Sequence, residues 1–181
     1  MEENKARIII YSAHESYKKL MYIASSIMTQ DNDVELELFI KQNILRVAGK
    51  ISYEILYPLY KKYPEIKSEI DVLNEGLSLS LVKKDTLKNK NVLMGEYKAR
   101  VIAFVATGAF YKLGGSLVPY IVSISEQNDS NKDKLELEVT QAIVEQSGDI
   151  ILKILKPIFK VYPVIKEEID TVYQEFGLFP C

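Results

Sequence analysis

The second half of this chain repeats the first. Displaced by 99 residues, positions 32–73 lie over 131–172 with identity at 19 of 42 places. The segment ILYPLYKKYPEIKSEID (55–71) then meets ILKPIFKVYPVIKEEID (154–170). At a displacement of 93, MEENKARII (1–9) meets MGEYKARVI (94–102), and Lys19-Leu20 meets Lys112-Leu113. The change of displacement puts about six extra residues in the second copy, near Gly114-Gly115, Pro119 and the polar run SEQNDSNKD. Met94 opposite Met1 suggests in-frame duplication of one short gene. A repeat of this length means that one supersecondary unit is built twice and buries its apolar face against its own relative. The expected organisation is a unit at 1–93, a second at 94–181 and a solvated link at 81–91. The two would pack about a pseudo-twofold axis, as an ancestral homodimer would have done.

The hydrophobic spacing predicts helices. Ile9, Ala13, Tyr17, Leu20, Ile23 and Ile27 recur at helical intervals over about residues 4–29. QDND (30–33) interrupts them, and Asn32 or Asp33 can cap a second helix whose first turn is acidic. Its stripe is Leu36, Ile40, Ile44, Val47, Ile51, Ile55 and Leu59. Pro58 and Pro157 should kink or break it, because proline removes a hydrogen bond and clashes with the preceding turn. Tyr63-Pro64 and Tyr162-Pro163 read as a fresh helix start, and Gly76 and Gly177 as C-terminal stops. The expectation is therefore an all-α fold, two tandem three-helix units in one bundle. The alternative is an α/β protein with a short β-branched strand near residues 8–11 and another near 101–105.

Composition narrows the function classes. The 181 residues are 48% hydrophobic and 27% charged, which suits a globular core rather than disorder. A net charge of −2 gives no global attraction to nucleic acid or anionic membrane. The basic run Lys83, Lys84, Lys88 and Lys90 lacks interleaved aromatics, so nucleic acid is not an expected partner. Residues 101–124 hold few charges, but Lys112, Gly114-Gly115 and Pro119 argue for a buried helix rather than a membrane span. With one Cys (Cys181), no intramolecular disulfide is possible, and with one His (His14) no familiar metal motif is present. MEENKAR does not read as a secretory leader, so a cytoplasmic location is expected, with no cofactor.

Few residues offer chemistry. Arg7 and His14 have a spacing that resembles the Arg…His signature of HEPN-type RNases. That resemblance implies phosphate stabilisation by Arg7 and proton transfer by His14. It covers these two residues, and the second copy carries Arg100 with Thr107 instead of a histidine. Glu69 with Asp71, and Glu167 and Glu168 with Asp170, could serve acid–base work, yet no Glu-x-x-His accompanies them and they suit helix-start charges. Arg7 and Arg100 each lie beside an apolar run and call for carboxylate partners. Glu69 or Asp71 for the first, and Glu168 or Asp170 for the second, would tie helix one to helix three.

Tyr53, Tyr57, Tyr60 and Tyr63 form a candidate partner surface, because tyrosine is enriched at interfaces. Their counterparts Leu152, Lys156, Phe159 and Tyr162 place Tyr57 on an outer face. The expected function is non-enzymatic protein–protein binding by a monomer or homodimer acting as regulator, adaptor or antagonist. One alternative is a carrier of a small molecule or lipid with an apolar cavity between the units. The other is the HEPN-like RNase using Arg7 and His14.

Overall fold

The computed structural model describes residues 1–27, 35–78, 95–117 and 133–175. Among them every regular element is a helix. Helix α1 is Glu3–Tyr22, continued by a π-helical turn Ile23–Ile27. Then come α2 (Glu35–Lys50), a π-helical stretch Ile51–Leu56, α3 (Tyr57–Lys62) and α4 (Pro64–Ser78). The second half has α5 (Glu96–Gly115), α6 (Lys134–Asp149), a π stretch Ile150–Leu155, α7 (Lys156–Val161) and α8 (Pro163–Glu175). The all-α expectation holds. The runs at 8–11 and 101–105 lie inside α1 and α5, so the alternative with strands is corrected. Burial at Ala6, Ile9, Ala13 and Leu20, and at Ala99, Ile102, Ala106 and Leu113, follows a helical face that no alternating strand could present.

The prolines do not bring the break that is one of the two expected outcomes. Pro58 and Pro157 neither break the helix nor end it; each is the second residue of a helix that continues from a π stretch. The Tyr57 N–H donates to the Ser52 carbonyl and the Lys156 N–H to the Ile151 carbonyl, five residues back in both cases. The wider turn gives room to the proline ring, which in an ordinary α-helix clashes with the carbonyl four residues earlier. It also matches the stripe, whose spacing lengthens to four at Val47, Ile51, Ile55 and Leu59, all fully buried. The break comes at Tyr63 and Tyr162, in non-helical conformations near φ −130°, ψ 68° and φ −128°, ψ 73°. A residue before proline is pushed out of the α region. Gly76 is no stop, since α4 runs on to Ser78; a helix-interior glycine costs only about 1 kcal/mol. Gly177, the caps Asn32 and Asp33 and the link 81–91 lie outside the described residues.

Helices α1 and α5 pack on each other and form one layer. The α2 and α6 helices, with their π stretches, form a second layer across them, while α4 and α8 lean on α1 and α5. One continuous apolar core draws on all of these, from Ala6 through Ile70 to Ile169. Ion pairs cross between the halves. Lys98 reaches Glu37, and Lys5 reaches Glu136 at 3.9 Å. No helix among the described residues is long and apolar enough to cross a membrane.

Candidate functional site

The four tyrosines separate by role. Tyr53 and Tyr57 are 75% and 60% exposed and stack nearly parallel, 6.0 Å between ring centres. Tyr60 turns inward, its hydroxyl 3.2 Å from Nδ1 of His14. Burial, with the negative charge of Asp71 added, pushes its phenol up to about 12. Tyr63 is buried and donates to the Met1 carbonyl at 2.5 Å. Only the first two therefore belong to a surface.

Arg7 binds Glu69, and also Glu3 at 3.1 Å. Arg100 grips Glu168 with a two-pronged contact, Nε at 2.6 Å and Nη2 at 2.9 Å, and reaches Glu96 at 2.6 Å. The hydrogen bond from Arg100 holds the Glu168 carboxyl below its usual range. Asp71 and Asp170 instead receive Lys67 and Lys166, one helical turn away on their own helices. Arg7 is thus held by two carboxylates and His14 faces a phenol. Among the described residues no group of three or more His, Cys, Asp or Glu is placed to hold a metal ion.

The most unusual surface lies on the outside of the α2–α6 layer. At 3.6 residues per turn, Leu38, Leu45 and Gly49 stand roughly half a turn from the core positions Ile40, Ile44 and Val47. Leu38 and Leu45 are exposed, and Tyr53 extends the same line. On α6 the line recurs as Leu137, Val144, Gly148 and Leu152, the three large side chains again exposed. A surface helix ordinarily carries polar residues opposite its core face. Here exposed apolar side chains stand among the polar residues of that outward face, beside Gln42 and Arg46 on α2 and beside Glu138, Gln141 and Glu145 on α6.

Gly49 and Gly148 sharpen the point. Among the described residues, outside their own helix backbone, nothing lies within 4 Å of where their side chains would stand, and neither has a left-handed φ. A helix-interior glycine that no local contact requires gives up about 1 kcal/mol relative to alanine. Sequence reasoning missed this stripe because it followed only the longest apolar period. The signal was present in the seven-residue spacing of Leu38 to Leu45 and Leu137 to Val144.

Between the two helices the surface is polar. Lys50 meets Glu145 at 2.5 Å, and Gln146, fully buried, donates to Glu54 at 3.0 Å. Glu54, Glu138, Gln141, Ala142 and Glu145 line an open, mainly acidic groove there. Among the described residues the buried hydroxyls of Thr107 and Ser147 and the Oε1 of Gln146 find no hydrogen-bond partner. Comparison with protein-family models, curated proteins and solved structures finds no match for this chain.

Proposed function

We propose that this chain is a non-enzymatic protein that works by binding another protein, as a regulator, adaptor or antagonist, in the cytoplasm. The observation that carries this reading is the exposed apolar stripe on α2, matched on α6 and extended by the stacked Tyr53 and Tyr57. Large apolar side chains left exposed on one face supply contact area for a partner, and aromatic side chains anchor such contacts. The test is affinity capture from the protein's own cells, with the full chain and a Leu45→Glu/Tyr53→Glu variant as baits. Partners should be retained by the first bait and lost by the second. Equal recovery on both would remove this face from the function.

The same reading includes the duplication: two homologous units, 1–93 and 94–181, packed about a pseudo-twofold axis. Its support is reciprocity. Lys98 and Glu37 are the repeat counterparts of Lys5 and Glu136, and each lysine reaches the other half's glutamate. The Ser16 hydroxyl donates to the Ala109 carbonyl at 2.9 Å, a contact between counterpart positions. Counterparts meet where a twofold axis passes.

A further inference from the structure

We draw no further inference here: the strongest candidate, the exposed side chains Leu38, Leu45, Tyr53, Leu137, Val144 and Leu152 on the outer face of the α2–α6 layer, carries nothing because the carboxylates beside it on α6 are already paired within the chain and nothing in the structure shows what covers that face.

Discussion

Under the proposed duplication, single residues mark where the two copies differ. His14 and Tyr60 form a polar contact in the first half, and the repeat replaces them with Thr107 and Phe159. Without a phenol oxygen in the corresponding position, the fully buried Thr107 hydroxyl has no partner among the described residues. Thr107→Val keeps the side-chain shape and removes the stranded group, so it should raise stability by about 1 kcal/mol in chemical denaturation. Tyr60 makes a pH prediction. Its folded phenol titrates at about 12 against 10.0 for the ordinary group, so the folded state holds the proton more tightly. That contribution is fully present below about pH 10 and is lost between about 10 and 12. Thermal melts across that range should fall more steeply for wild type than for Tyr60→Phe; parallel curves would contradict the assignment. The repeat alignment displayed these exchanges in the sequence. It could not display their burial, which depends on how α1 meets α3.

At the level of elements, the ion pairs that join the halves differ in weight. Glu37 is buried with its side chain 6% exposed, whereas Glu136 is 17% exposed. Removing the lysine from the first leaves a carboxylate short of a partner in a poorly solvated place, which costs about 1–3 kcal/mol or more. Lys98→Met should therefore destabilise the chain clearly more than Lys5→Met, and urea midpoints of the two variants decide it. The helical character and approximate limits of the described segments were legible because apolar spacing is a property of each segment alone. The π stretches were half legible. The four-residue spacing through Ile51, Ile55 and Leu59 was on view, but proline suggested a break, and only core packing shows that a widened turn absorbs it. The outward residues stayed unread because Leu38 and Leu45 fall off the stripe that defines the core face, and their exposure depends on what packs against α2.

For the whole molecule, the proposed duplication carries a consequence that the charges make specific. Fusing two identical units leaves the contact between them free to diverge, because each side is then encoded separately. Lys50 faces Glu145, whose counterpart in the first unit is Arg46, and the counterpart of Lys50 is Asp149. A dimer of two first units would set Lys50 against Arg46, and a dimer of two second units would set Asp149 against Glu145. Both self-pairings bring like charges together at a seam where the natural pairing brings opposites. Much of the apolar core discriminates less, since Ile44 and Ile143, Ile51 and Ile150, and Ile55 and Ile154 are the same residue in both copies, although buried Val47 has Gln146 as its counterpart. Association should thus be general but its choice of partner electrostatic. Residues 1–93 and 94–181, produced separately and mixed, should form a one-to-one complex in preference to either homodimer, as native mass spectrometry would report. The preference should weaken as salt rises, because exposed charges are screened while the core is not. A statistical mixture of the three pairings at low salt would mean that the halves still recognise one another only as the ancestral unit did.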